Sequence, residues 1–425
     1  MLFARFWKDR KGGAAPMLAL GIIPLIGAVG AAVDYSRANS VRTAMQGALD
    51  ATGLMLSRDA QTLSTAELNA KATSYFNAMF NRPEASNVQI TPQFSTPQQG
   101  SFTLTISASA TINTVFWRLI GQQQVNLTAS GEVVWGMKKL NIALAFDNTG
   151  SMASSGKMTA LKEAAHNLLN TLQKAEKSPG DVKVSIVPFA VDVNVGTTNV
   201  DASWIDWTHW DQQNGTCSNS KYSNYSDCID HNKTWTPHNH NTWNGCVKDR
   251  DQSNDVLNTA TGTSGGATRY RADQASACPT AMMPLSSDWA ALNAKVDAMV
   301  PTGNTNVTIG LQMAWQTLSN NAPFNAPAPS PDVDKVIILM TDGENTQNRW
   351  TTSQSSIDAR TQKACDNVKA AGIKLYTVRV VAGNATLLQN CATKPDMYFN
   401  VQEASQLNSV FASIAQNLAN LRISK

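Results

Sequence analysis

From Ala14 to Val33 the chain carries no charged residue, although Arg5, Lys8, Arg10 and Lys11 precede the run and Asp34 follows it. Twenty helical residues rise about 30 Å, the thickness of a bilayer's hydrocarbon core. A run of this kind is either a membrane helix or the core of a cleaved signal peptide, and the small residues around Gly30 to Ala32 resemble a cleavage site. Its length exceeds that of a usual signal core, which favours a retained anchor. Basic residues before the run and an acid after it place the N-terminus in the cytoplasm and the remainder outside. Pro24 is expected to kink the helix.

Beyond the anchor, Tyr35, Ala38, Val41, Met45, Leu49, Thr52 and Leu56 recur at helical spacing, so the helix is expected to continue as an amphipathic one. A second helix is predicted over Thr65 to Phe80, ended by Arg82-Pro83. Segments around Val88, Phe102 and Val125 then alternate apolar and polar residues, as half-buried strands do. Three regions result. Residues 1–35 are a basic leader and anchor, 36–137 a small helix-plus-strand α+β module, and 138–425 a larger domain.

In the larger domain, Leu140–Phe146, Val182–Val187, Val336–Met340 and Leu375–Val378 read as buried strands. Stripes such as Met158, Leu161, Ala165, Leu168 and Leu172 mark helices between them, and Ala404 to Leu421 a closing helix. Strands alternating with helices define an α/β fold: a doubly wound, mostly parallel sheet covered on both faces. Residues 196 to about 285 break the pattern, being rich in Asn, Ser, Thr, Asp and Trp and holding four of the six cysteines. They read as an insertion. Its tryptophans, Trp204, Trp207, Trp210, Trp235 and Trp243, are expected to form the small core of a disulfide-tied subdomain, with an aromatic binding surface as the alternative. Cys365 and Cys391 flank one strand and are expected to pair, while the four insertion cysteines pair among themselves. An even cysteine count beyond a membrane segment fits an oxidising compartment. A net charge of +3 with 15% charged residues excludes a basic nucleic-acid-binding arm. No standard spacing of His and Cys points to zinc, and His166 is expected to be structural or exposed.

After the first strand come Asp147-Asn-Thr149-Gly-Ser151; after another strand come Thr341-Asp342-Gly343; between them Thr305 precedes a helix. Each piece alone is an ordinary cap or turn. Together they put two carboxylates and three hydroxyls at the carboxyl end of an open sheet, where such folds bind ligands. Oxygen donors without His or Cys suit Mg²⁺ or Mn²⁺. This arrangement resembles the metal-ion-dependent adhesion site of von Willebrand factor A domains. The resemblance implies that Asp147 and Asp342 stand on adjacent central strands and bind directly or through water. It also implies that Thr149 and Ser151 bind the ion directly, and that Thr305 does so in one conformation. The family usually has Ser where this chain has Thr149, and a hydroxyl is retained.

A second resemblance lies at the N-terminus. Gly12-Gly-Ala-Ala-Pro, the apolar helix, Ala32-Val-Asp-Tyr-Ser-Arg37 and Gln46-Gly-Ala-Leu-Asp-Ala51 are similar to TadG-like proteins of the Flp/Tad pilus assembly system. Pilins of that system usually carry a Glu shortly after the processing glycine. Here Gly13 is followed by Ala, Ala, Pro, Met and Leu, which favours a permanent anchor. The expectation is a single-pass protein of the bacterial inner membrane with its C-terminal domains in the periplasm. It is not an enzyme: its metal site binds an acidic residue of a partner protein, a pilus or envelope component, without nucleic acid. The alternative is a minor pilin-like structural subunit of the pilus.

Overall fold

A single α-helix runs unbroken from the apolar stretch into the first folded unit: α1 spans Ala14–Ser57, 44 residues, and continues through Pro24. The computed structural model describes residues 14–60, 63–98, 101–136, 138–176, 178–262 and 266–421; the basic leader, with its four cations, lies outside the described residues. Among the described residues, α1 is the one helix long and apolar enough to cross a membrane. Its two halves meet different surroundings. Leu20, Leu25, Ile26 and Val29 are exposed, whereas Ala38, Val41, Met45, Leu49, Thr52 and Leu56 are buried. Tyr35 departs from the expected stripe and is 65% exposed. Buried Thr52 satisfies its hydroxyl on the Ala48 carbonyl, one turn back, at 2.7 Å, which removes the penalty of an unpaired polar group.

The chain divides into two compact units after Gly136. In the first, α2 (Thr65–Met79) starts on a capping box, Ser64 with Glu67. Strands β1 (Ala85–Gln98), β2 (Ser101–Asn113) and β3 (Gln124–Gly136) form an antiparallel meander. Leu104, Ile106, Ala108, Ala110 and Ile112 of β2 pack with the outer half of α1 and with Phe76 of α2. Gly53 permits the close approach of helix and sheet, since a Cβ there would lie 2.7 Å from Val133 Cγ2.

The second unit holds β4 (Lys139–Asp147), α3 (Lys157–Ala175), β5 (Val182–Phe189) and β6 (Val193–Asn194), followed by the insertion. After the insertion come β12 (Met283–Ser286), α6 (Trp289–Asp297), α7 (Val307–Thr317), β13 (Val333–Thr341), α8 (Gln354–Ala370) and β14 (Lys374–Val380). Helix α9 (Ala385–Cys391), β15 (Tyr398–Val401) and α10 (Leu407–Leu421) close it. Five strands are parallel, in the order β15-β14-β13-β4-β5. The two-residue period of a strand sends alternate side chains to opposite cores. Leu140, Ile142, Leu144 and Phe146 of β4 join α3 and α10 on one face. Ala143 and Ala145 face α7 and α8 on the other. The sheet is doubly wound, mostly parallel, and covered on both sides.

The insertion proves to be part of that sheet. Its short elements are β7 (Ile205–Asp206), α4 (Thr208–Gln213), β8 (Gly215–Cys217), α5 (Tyr225–Asp230), β9 (Trp235–Pro237), β10 (Cys246–Lys248) and β11 (Tyr270–Asp273). Strands β10, β11 and β7 extend the sheet from β6 as a mixed edge. Trp204, Trp210 and Trp243 are buried and share one core with β5 and α7, so these rings serve packing rather than an exposed patch. Helix α7, expected to bury one stripe, has all eleven residues buried because the sheet lies on one side and the insertion on the other. Gln312 is satisfied across that contact: it accepts from the Tyr270 hydroxyl at 2.6 Å and donates to the Leu257 carbonyl at 3.0 Å.

The six cysteines form three bridges: Cys217–Cys228, Cys246–Cys278 and Cys365–Cys391. Cys391 ends the short helix α9 rather than lying in a loop. The last bridge closes a sequence separation of 26 residues around β14. Removing it by Cys365→Ala with Cys391→Ala is expected to lower stability by about 3 kcal/mol, from the restored freedom of the unfolded loop. Urea unfolding checks this, and an unchanged midpoint contradicts it.

Candidate functional site

Parallel pairing aligns Phe146 of β4 with Met340 of β13, so Asp147 and Asp342 leave neighbouring strands at the same sheet edge. Both are buried, at 0% and 1% exposure. Asp147 Oδ1 accepts the Thr149 N–H at 2.8 Å, and Oδ2 accepts the Thr341 hydroxyl at 2.5 Å. Thr149 Oγ1 lies 3.0 Å from Ser151 Oγ, which donates to Asp342 Oδ1 at 2.6 Å. One hydrogen-bonded chain thus connects four of the five expected residues.

Thr305 comes from a separate loop and is brought alongside through Gly343. A Cβ on Gly343 would lie 3.4 Å from Ser151 Oγ and 3.6 Å from Thr305 Oγ1. The two hydroxyls therefore flank the space that a side chain would fill, and glycine keeps it open.

Backbone bonds lock the three loops together. Thr302 N–H donates to the Asn148 carbonyl at 2.7 Å and Gly150 N–H to the Gly303 carbonyl at 3.0 Å, joining the first loop to the second. Thr346 N–H donates to the Thr305 carbonyl at 2.9 Å, while Thr305 N–H donates to Thr346 Oγ1 at 2.8 Å, joining the second to the third. Asn345 Oδ1 accepts the first N–H of α7, that of Val307, at 2.8 Å. Asn306 caps the same helix through Oδ1 and gives its Nδ2 to both oxygens of Asp249 in the insertion, at 2.9 and 3.1 Å. The insertion thereby braces the loop that carries Thr305.

Lys157 was not among the residues read from the sequence. Buried at 7% exposure, it pairs its ammonium with Asp342 Oδ2. It opens α3, where a cation opposes the helix dipole. A lysine at that position therefore implies a nearby anion, the one signal by which the pair could have been found. Thr341 and Thr346 left no signal, because their roles depend on strand register and loop crossing. His166 is half-exposed and bonds Asn293 and Asp297 on α6, away from these loops.

Two carboxylates in one buried site repel. Burial first, then the neighbouring charge of Asp342, pushes the Asp147 carboxyl up to about 6, against the lowering effect of hydrogen bonds from Thr149 and Thr341. A site that resists negative charge in this way is suited to a cation. The donor set is all oxygen, carboxylate plus hydroxyl, which fits a hard divalent ion. Among the described residues, no group of three or more His, Cys, Asp and Glu side chains converges on a metal position. The hydroxyls are therefore essential to any ion held here.

Residues 250–413, which include Thr305 and Asp342 but not the loop of Asp147, Thr149 and Ser151, match the family of von Willebrand factor type A domains. Residues 12–55 match the family described as putative Flp pilus-assembly TadE/G-like. The chain thus joins a TadE/G-like segment at residues 12–55 to a von Willebrand factor type A match at residues 250–413. Similar solved structures include the pilus adhesin SpaC from Lactobacillus rhamnosus GG, with 15% identity, TM-score 0.39, and coverage of 80% of this chain and 35% of that one. The von Willebrand domain of the type V pili tip protein Mfa5 from Porphyromonas gingivalis has 13% identity, TM-score 0.40, and coverage of 68% and 98%. Proximal thread matrix protein 1 from the mussel byssus, with a zinc-occupied metal-ion-dependent adhesion site, has 13% identity, TM-score 0.37, and coverage of 67% and 48%. The chain spans between a third and a half of the length of the SpaC and byssus chains. No curated protein sequence matches it.

The buried carboxyls set a pH dependence. Asp147 binds its proton more tightly folded than unfolded, so without divalent ions its contribution to stability is fully present below about pH 4 and is lost as pH rises through about 6. Asp249, pushed up to about 6 by burial, acts in the same direction. So does Asp192, raised to about 7 by burial and by Asp273. In EDTA, Asp147→Asn is expected to remove its own share of this loss, about 3 kcal/mol between acid and neutral pH. Denaturant unfolding of both forms at pH 5 and pH 7.5 measures the difference; equal pH slopes would contradict the assignment.

Proposed function

We propose that the chain is a membrane-anchored envelope protein presenting a metal-dependent protein-binding site, acting in Flp/Tad pilus assembly or adhesion rather than as an enzyme. The observation that carries this reading is the linked set Asp147, Thr149, Ser151 and Asp342, with Thr305 across Gly343. A divalent ion such as Mg²⁺ or Mn²⁺ held there would attract an Asp or Glu of the partner as a further oxygen ligand. Asp147 and Asp342 provide the negative charge, and the three hydroxyls provide neutral oxygens. Lys157 is the resident counter-charge on Asp342, the role that a bound ion would share.

The absence of enzymatic activity is supported by how these groups are engaged. Ser151 donates to Asp342, and Lys157 is held on the other oxygen of the same carboxylate. The carboxylate that accepts the Ser151 proton is thus tied to an ammonium rather than free to act as a general base. The TadE/G-like match and the apolar half of α1 support placement in the bacterial inner membrane, with the folded units in the periplasm. The three disulfides agree with that compartment.

Asp147→Ala is expected to abolish Mg²⁺ or Mn²⁺ binding by calorimetry and EDTA-sensitive capture of the partner, with the fold retained. Ser151→Ala and Thr305→Val should weaken both less, each removing one neutral donor. Lys157→Met should tighten metal binding by removing a competing cation. Partner capture by Asp147→Ala that equals the native protein's and ignores EDTA would place the interaction on another surface.

Topology is tested separately. Alkaline phosphatase fused after Gly136 should be active in cells, with the chain resisting carbonate extraction from membranes. A soluble product beginning near Val33 would refute the anchor.

A further inference from the structure

The first unit exposes apolar side chains in one unusual place. Between β2 and β3 the chain makes a 3₁₀ turn over Trp117–Ile120, within the run Val115-Phe-Trp-Arg-Leu-Ile120. Val115 is 50% exposed, Leu119 79% and Ile120 83%. Three large exposed apolar residues on one loop tip are costly in water.

This turn is fastened to the apolar half of α1. Asp34, one residue past the uncharged run, is buried and accepts three backbone N–H groups: Val115 at 3.0 Å on Oδ1, and Phe116 and Trp117 at 2.8 Å on Oδ2. Gly30 lies beneath Phe116, where a Cβ would come within 2.5 Å of the ring. Ile22, Leu25, Ile26, Val29, Gly30 and Phe116 line an apolar groove between turn and helix. At 1.5 Å per residue, Gly30 lies about 5 Å and Ile22 about 16 Å inside the end of the uncharged run. Whatever solvent surrounds the outer end of that run therefore also surrounds the turn.

Seven backbone N–H groups of the turn and its flanks, between Thr114 and Gln122, meet the requirement of that solvent. Lipid offers no hydrogen bonds, so inserted peptide groups must be satisfied internally. Besides the three donors given to Asp34, Thr114 N–H bonds the Gln123 carbonyl, Leu119 N–H the Phe116 carbonyl, Gly121 N–H the Arg118 carbonyl and Gln122 N–H the Trp117 carbonyl, all at 3.0–3.2 Å. Trp117 suits the headgroup interface, and Arg118 is long enough to reach it. Gln122 to Gln124 follow as the chain returns to β3.

We propose that the turn Val115–Ile120 inserts into the bilayer leaflet facing the module, latched to the membrane helix by Asp34, so that the module attaches to the membrane at two points. This rests on the anchor reading of α1 given above, and the occupant of the exposed apolar surface is lipid. The two attachments fix the module's tilt and rotation, which a lone helix leaves free.

Spin labelling of the full chain in vesicles of phosphatidylethanolamine and phosphatidylglycerol tests both readings separately. All six native cysteines are bridged, so a label attaches only to an introduced thiol. Ile26→Cys reports the anchor, Leu119→Cys the turn, and Asn69→Cys on exposed α2 an aqueous reference. Ile26 and Leu119 should both show oxygen collision rates several-fold higher, relative to a water-soluble nickel chelate, than Asn69. Adding Asp34→Asn to Leu119→Cys should lower that ratio at the turn. A lipid-like Ile26 with a water-like Leu119 overturns the insertion and leaves the anchor standing. A Leu119 label shielded from both reagents overturns it too, showing a protein contact instead. Water-like values at both sites overturn the anchor itself, and the inference with it.

Discussion

Two acidic side chains that repel each other are held at adjacent strand ends by the parallel register of β4 and β13, and the architecture of the second unit follows from keeping them there. Asp147 and Asp342 are both buried, yet neither has been replaced by an apolar residue that would pack more cheaply. Their charge is managed by hydrogen bonds from Thr149, Thr341 and Ser151 and by the Lys157 ammonium. Backbone bonds between the three loops then prevent the carboxylates from moving apart. A cluster held under this constraint has few ways to relax.

The rest of the unit supports those loops. Helix α7 begins directly after Thr305 and is buried along its whole length, so the loop before it cannot drift without disturbing two cores. Gly310 lets α7 sit against β5, since a Cβ there would meet the Phe189 ring at 2.4 Å. On its outer side the insertion supplies Tyr270, the buried Arg250 and Asp249. Arg250 donates to the carbonyls of Thr259, Asn254 and Leu257, tying the insertion's own loop, while Asp249 holds Asn306 at the α7 cap. The Trp-rich segment therefore acts on the site indirectly, as a brace.

Much of this was legible in the sequence where a residue's neighbours in space are also its neighbours in the chain. The uncharged run, the helical stripe of α1 and the buried strands β4, β5, β13 and β14 announce themselves through local periodicity. Asp147, Thr149 and Ser151 stand together because they share one loop, and Asp342 because it follows a strand. What escaped depends on distant pairing. Strands β7, β10 and β11 are two to four residues long, too short to show a period, and join the sheet only once the insertion has folded over α7. Tyr35 sits on the helical stripe yet is exposed, because the sheet that buries the stripe begins its contact further along, at Ala38. The pairing of Lys157 with Asp342 links residues 185 positions apart; no spacing rule reaches that far.

Helix α1 shows how one regular element can serve two environments. Among the described residues, its inner half packs against the turn at Phe116, and its outer half carries the core of the first unit. The change occurs within about one turn of helix, at Gly30 to Asp34, where a glycine gives up its side chain and an acid gives three hydrogen bonds. An unpaired carboxylate at the edge of an apolar segment is costly; three N–H donors offset that cost and bind the β2–β3 turn in the same step. The residue that ends the uncharged run is therefore also the one that fastens the folded module to it. Replacing it affects helix and sheet together, because the hydrogen bonds that satisfy its charge are those that hold the turn.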